Sequence, residues 1–430
     1  MRINPGLIRR RFFHQPLATW GRDRPLLLNA VYIFGVSISA GLFGLVYWAM
    51  AGRWFQPEEI GLASGVISVV TLLAGFGALG FGYGLLRFLP EAEHPLRLLN
   101  TVYTFSCLLA ASAGLVFLSG SRWWFPELSE IGGGNSFPAI FLLFIVSVTL
   151  GSLVRDSFVA RRQARYAWRY TLLAAVARLL LLIPLIGRGA AGLVASSALA
   201  FTLALVVSAA VFLPAIQPGY RPVLILSRVE LSRLLPFSSG NYMVVLITQL
   251  SQTMLPLLVI RQLGLAAGGY AYIALMVAGL LTAPGVALST SALVESANSP
   301  GTARPVLRQA AGIGMLFSLA AGGLLYLFGP WGLQLFGPNY AKETVSLLRL
   351  LALSIPLFVL VQFYFTYLRF RKMTRRLVLL AGLLVFLTLG AVWVWLPALG
   401  IAAVGAGILF ANLVLGGVIL LIHRGIGLVP

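Results

Sequence analysis

Arg178 is the only charged residue in the stretch AAVARLLLLIP. A guanidinium stays protonated and presents forked N–H donors that match phosphate or carboxylate. Arg178 lies nine residues beyond Arg169, so ~13 Å further along a helix. That depth suits a pyrophosphate or an acidic sugar; the same residue could instead cap carbonyls or snorkel inward. Arg349 and Arg87, the latter in LLRFLPE, stand at the ends of apolar runs. They are further candidates for anion contact, with snorkelling as the plainer alternative. A polar stripe runs through SSGNYMVVLITQLSQT, where Asn241, Thr248, Gln249 and Gln252 share one helical face. Asn29 and Ser37 repeat its +8 spacing near the start of the chain. Amides and hydroxyls on one face can line a sugar-binding cavity, or they can hydrogen-bond one helix to another.

The missing residue types matter too. The only cysteine is Cys107, and His14, His94 and His423 are scattered, so neither a disulfide framework nor a metal site is expected. No Gly-Lys-Ser/Thr phosphate loop occurs, so no ATPase motif is present. The eleven acids lie in loops or near span ends, including Asp156 beside Arg155. An exporter of cations needs a carboxylate at depth, so a buried arginine without a buried acid favours an anionic cargo. No catalytic residue set and no cofactor are expected.

The frame that must position these residues is lipid-embedded. The chain has 430 residues, of which 59% are apolar and 10% charged, with a mean hydropathy of +0.94. Soluble domains are about 25% charged. Apolar runs of membrane-spanning length recur throughout. They predict an all-α polytopic membrane protein with twelve spans near 26–50, 60–84, 98–119, 136–155, 170–187, 190–214, 236–260, 268–293, 308–328, 345–367, 377–396 and 401–422. The expected organisation is a cytoplasmic segment 1–25, a six-helix lobe 26–214, a linker 215–235, a second lobe 236–422 and a tail 423–430. Within the linker, RPVLILSRVELSRLL (221–235) reads as an interfacial helix. The basic start leads into a full-length span, so no cleavable signal is expected.

Of the 31 Lys and Arg, 24 fall in alternate connections and termini that include 1–25, 155–169 and 368–376, and five fall in the other set. This asymmetry places both termini in the cytoplasm. The net charge of +20 is thus a topology signal and an attraction to anionic membrane lipids. Dispersed over many connections, it does not suit a nucleic-acid partner.

RWFQPEEIG (53–61) then falls in an outer turn. Pro57 suits the first position of a helix, Glu58 and Glu59 suit its positive end, and Gly61 permits close packing. An echo follows at an offset of 208, pairing RWFQPEEIGLASGVI with RQLGLAAGGYAYIAL. A second pairs FVARRQARYAWRYTLL (158–173) with YLRFRKMTRRLVLL (367–380). Two six-span halves of like orientation are implied, related by an axis along the membrane normal.

AGRWFQPEEIGLASGVISVVTLL and GFGALGFGYGLLRFLPE resemble the first helical hairpin of bacterial polysaccharide-transporter flippases, which move O-antigen and exopolysaccharide repeat units. That family shares a superfamily with lipid II flippases and multidrug and toxic compound extrusion transporters. Gln56 replaces the usual capping serine and Ile60 the usual aromatic. The resemblance implies two six-helix lobes around a central cavity in the bacterial inner membrane, open alternately to each side. It implies an undecaprenyl-pyrophosphate-linked oligosaccharide as cargo, with a glycan polymerase and other polysaccharide-assembly proteins as partners. The alternatives are a lipid II flippase, a small-molecule exporter, or a membrane-embedded glycan polymerase or ligase. Twelve spans rather than fourteen count against lipid II. Short outer loops count against an enzyme.

Overall fold

The computed structural model describes residues 20–126, 137–298, 303–371 and 373–423. Among them run twelve long helices: α1 (Trp20–Trp54), α2 (Pro57–Ala78), α3 (Pro95–Trp124), α4 (Phe137–Ala160), α5 (Ala164–Leu182) and α6 (Gly189–Val207), then α7 (Arg228–Leu263), α8 (Leu265–Asn298), α9 (Ala303–Leu333), α10 (Pro338–Phe370), α11 (Thr374–Leu399) and α12 (Ala402–His423). Each matches one expected span in order. Helix is the form that satisfies every backbone group of such a run in lipid. Ten stretches are long and apolar enough to cross a membrane, and one of these, Ala164–Ile216, contains both α5 and α6. The helix α7 completes the twelve.

The local signals act as their residue types require. Pro57 opens α2, and the Gln56 N–H donates to Glu59 Oε2 at 2.8 Å. The expected span 60–84 is broken after Ala78. Leu79 and Gly80 take φ values of 45° and 70°, and a short helix, Phe81–Phe88, follows in a new direction. A side chain at Gly80 would press on the Ser238 carbonyl oxygen and on Tyr242 of α7.

Helices α1–α6 pack on one another and so do α7–α12, while α2 lies against α7 and α8. On the side that the cation count assigns to the outside, the two groups share one core, which includes Tyr47, Trp48 and Ile60 together with Phe336, Tyr340 and Leu347. Toward the inner side the core divides in two, and Leu234 of α7 joins the first of these. One holds Phe81, Leu98, Tyr103 and Phe158; another holds Val361, Phe365 and Leu377. Lipid tails solvate leucine as well as a neighbouring helix does, so close approach through small residues must hold the outer contact. Gly61 and Gly269, the pair related by the 208-residue echo, meet there. A Cβ on Gly61 would overlap the Leu265 carbonyl oxygen, and one on Gly269 would lie 2.5 Å from the Pro57 carbonyl oxygen. Beside them the Arg53 Nε–H donates to the Leu335 carbonyl at 3.0 Å.

One expectation fails in the linker. Residues 221–227 are not helical; the helix begins at Arg228 and is continuous with α7. Pro222 brings no N–H to a helix. The flanking backbone instead finds partners along α3. The Asn100 Nδ2–H donates to the Arg221 carbonyl at 3.0 Å, and the N–H groups of Val223, Ile225 and Ser227 donate to Asn100, Thr104 and Thr101. Thus clipped in extended form, the segment leaves Leu224 and Leu226 exposed.

Candidate functional site

Arg178 rises from α5 toward α1 and α6. Its Nε–H donates to Ser197 Oγ on α6 at 2.9 Å, and Ser197 in turn donates to the Leu193 carbonyl. The guanidinium carbon lies 3.7 Å from the centre of the Tyr47 ring and 5.6 Å from Trp48. The Tyr47 hydroxyl donates to the same Leu193 carbonyl at 3.1 Å. One nitrogen is therefore used for positioning and the aromatic faces stabilise the charge; a desolvated cation–π contact contributes on the order of 2 kcal/mol. The terminal nitrogens make no hydrogen bond to the described residues.

Arg178 lines a cavity of about 120 Å³ between α1, α4, α5 and α6, together with Arg155, Tyr170, Thr171 and Phe201. No acid lines it. Arg155 stands 5.7 Å from the Tyr170 ring centre. The Arg155 Nε and the Tyr170 hydroxyl are buried with no hydrogen-bond partner. The cavity thus gathers two guanidinium groups and a phenol with no carboxylate in its lining, a composition that favours an anion over a cation. Neither Arg155 nor Tyr170 stands out in the sequence. Arg155 falls at the expected end of span 4, but α4 runs on to Ala160, which carries Arg155 inside the bundle. Asp156, its neighbour, is carried in with it: the carboxylate is largely buried toward Gly82 of the short helix and close enough to Arg155 to act on it as a countercharge, so the expected absence of a buried acid does not hold.

The polar stripe on α7 divides. The Gln249 Nε2–H donates to the Thr71 carbonyl of α2 at 2.7 Å, which is a helix-to-helix bond. Gln252 lines a cavity inside the second lobe. The side chains of Asn29, Asn241 and Thr248 lie outside the described residues. Ser37 is exposed on α1. Arg87 is exposed beside Phe88 and Phe237, its guanidinium carbon 5.8 Å and 5.6 Å from the ring centres, and Arg349 is exposed 5.3 Å from the Tyr326 ring centre. Neither lines the Arg178 cavity or the second-lobe cavity. Among the described residues no group of three or more His, Cys, Asp or Glu is placed to hold a metal ion.

No family model and no curated protein matches the sequence. Solved structures do match its fold. The lipid II flippase MurJ in an inward closed conformation superposes with a TM-score of 0.73 at 14% identity, covering 93% of this chain and 87% of that one. A multidrug resistance MATE family transporter of the MOP superfamily, inward-facing, gives 0.67 at 17% identity, covering 91% and 97%. The MATE multidrug transporter DinF-BH, in complex with R6G, gives 0.66 at 14% identity, covering 96% and 98%. The chain thus shares the two-lobed all-helical fold of these solved structures and is a multi-pass membrane protein.

Proposed function

We propose that the protein is a flippase of the bacterial inner membrane, carrying an undecaprenyl-pyrophosphate-linked oligosaccharide from the cytoplasmic to the outer leaflet by alternating access. The cargo on this reading is an O-antigen or exopolysaccharide repeat unit, handed on to a glycan polymerase. The observation that carries the reading is Arg178, held at depth by Ser197 and Tyr47 in a cavity with a second arginine and no acid. Such a cavity suits the pyrophosphate of a lipid carrier and opposes a cationic drug, which would lack a countercharge. The two helical groups share one core at the outer end, and toward the inner end their contact narrows to α7 against α3 and the short helix Phe81–Phe88.

The test is a deletion strain complemented with wild-type protein or Arg178→Ala. Lipid-linked intermediates are extracted and assigned to a membrane face, and surface polysaccharide is measured in parallel. Completed units trapped on the cytoplasmic face, with surface glycan restored by wild type and not by a normally inserted Arg178→Ala protein, are expected. Units that reach the outer face unpolymerised would instead identify a polymerase. Trapped lipid II would identify the cell-wall precursor as cargo.

A further inference from the structure

The short helix Phe81–Phe88 meets the inner end of α7, and the two exchange side chains there. Tyr83 and Arg87 stand four residues apart on the short helix, and Arg233 and Phe237 do the same on α7, so each pair shares one helical face. Each arginine lies over a ring of the other helix. The Arg87 guanidinium carbon is 5.6 Å from the Phe237 ring centre, and that of Arg233 is 5.0 Å from Phe88. The two rings stand edge to face with centres 5.5 Å apart. Arg87 also lies 5.8 Å from the ring centre of its neighbour Phe88, so both charges fall within ~6 Å of one ring. The packing behind them is tight. A Cβ on Gly84 would lie 2.8 Å from Ser238 Oγ and 2.9 Å from Leu234 of α7, so the two helices hold the guanidiniums at a fixed spacing.

Like charges gathered in this way repel unless an anion compensates them. No carboxylate of the chain does so. Among the described residues neither Arg87 nor Arg233 has an ion pair or a hydrogen bond, although Glu230 stands three residues before Arg233. Both side chains are exposed, and their N–H donors remain available. A third guanidinium joins the group. Arg369, at the inner end of α10, lies near enough to the Tyr83 hydroxyl for the two to interact electrostatically. The short helix of the first lobe thus has cations from two helices of the second lobe beside it. Positive charge at the inner face is common, since cytoplasmic helix ends collect arginines. This group differs in being drawn from both lobes, backed by aromatic rings and left without a countercharge. Its arginines stand at the inner ends of their helices, at the level of lipid headgroups, and Tyr83 and Leu86 add exposed apolar surface next to them.

We propose that this arginine–aromatic group is a receiving site for the diphosphate of a polyprenyl lipid at the cytoplasmic face. It shares no residue with the Arg178 cavity, and a lipid leaving the cytoplasmic leaflet occupies it first. The assignment rests on the flippase reading. A diphosphate has two anionic centres, one for each guanidinium fork, whereas the phosphodiester of a bilayer phospholipid has one.

The test measures binding of undecaprenyl pyrophosphate to the full-length protein in phosphatidylcholine nanodiscs. An Arg178→Ala background removes the deep site, and binding should persist in it. Adding Arg87→Gln and Arg233→Gln should then weaken binding at least about tenfold, since two charge-assisted contacts are lost. The control removes the same charge elsewhere on the inner face: Arg97→Gln with Arg162→Gln, both at exposed positions, should leave binding within about twofold, as screened surface charges do. A second measurement leaves Arg178 intact. Phe237→Trp puts an indole beside Arg87, and its emission, taken as the difference from wild type, should change on addition of the diphosphate lipid and not when phosphatidylglycerol replaces phosphatidylcholine. Equal losses in the Arg87/Arg233 pair and the control pair overturn the inner site alone. So does an emission change with phosphatidylglycerol that matches the one with the diphosphate lipid, or loss of all binding in Arg178→Ala together with an unresponsive Phe237→Trp protein. Failure of wild type to bind the diphosphate lipid overturns the flippase reading and this one with it.

Discussion

The glycine pair at the outer end makes the sharpest mechanical prediction. A Cβ on Gly269 would sit 2.5 Å from the Pro57 carbonyl oxygen and 3.0 Å from the Gly61 nitrogen, whereas ordinary contact begins near 3.4 Å. Gly269→Ala therefore requires α2 and α8 to part by roughly 1 Å, and overpacking of this kind costs about 1–3 kcal/mol. The cost falls on the state in which the outer ends touch. A state with those ends apart is spared it, so the ratio of the two shifts by about 5- to 150-fold. The assay is electron–electron resonance between spin labels at Trp123→Cys on α3 and Trp331→Cys on α9, two exposed outer positions on different lobes, in a Cys107→Ser background. Gly269→Ala should move the distance distribution to longer separations, and Gly61→Ala should do the same. Gly323→Ala is the control, because a Cβ there meets nothing within 4 Å; its distribution should match wild type. If Gly269→Ala and Gly323→Ala give the same distribution, the paired glycines do not set the outer seal and the reasoning fails.

Two further outcomes follow from unmet and met hydrogen bonds. Tyr170→Phe removes a buried hydroxyl that has no partner, so thermal stability should hold or rise slightly while affinity for undecaprenyl pyrophosphate falls several-fold, read by melting and binding on one sample. Asn100→Ala removes both bonds to the backbone of residues 221 and 223, so chymotrypsin added to inside-out vesicles should cut after the exposed Leu224 and Leu226 at least several-fold faster than in wild type, at an unchanged melting temperature.

What the sequence revealed follows from how local each signal is. Spans and caps depend on neighbours in the chain, so the twelve helices and the Pro57 start could be read directly. Arg178 could be read because a single charge in an apolar run has few explanations. Arg155 and Tyr170 could not, since their significance depends on where α4 ends and which way α5 faces. The linker misled because alternating basic and apolar residues suit an interfacial helix and a clipped extended strand equally well. Its partners, Asn100, Thr101 and Thr104, lie more than a hundred residues away. Gln249 and Gln252 show the limit of a helical stripe: three residues apart, one bonds a neighbouring helix and the other lines a chamber.

On the flippase reading, the position of Arg178 ties anion recognition to the state of the lobes. Its guanidinium rests on Tyr47 and Trp48 of α1, and Trp48 rests on Tyr272 of the second lobe. All three aromatics belong to the shared outer core or pack against it. A motion that parts the outer ends must separate Trp48 from Tyr272 and so change the aromatic surface on which the Arg178 guanidinium rests. An anion on Arg178 therefore has a different environment in the two states, and a ligand with different free energies in two states necessarily biases them. Arg87 makes a different contact between the two groups, over Phe237 of α7 and outside the shared outer core.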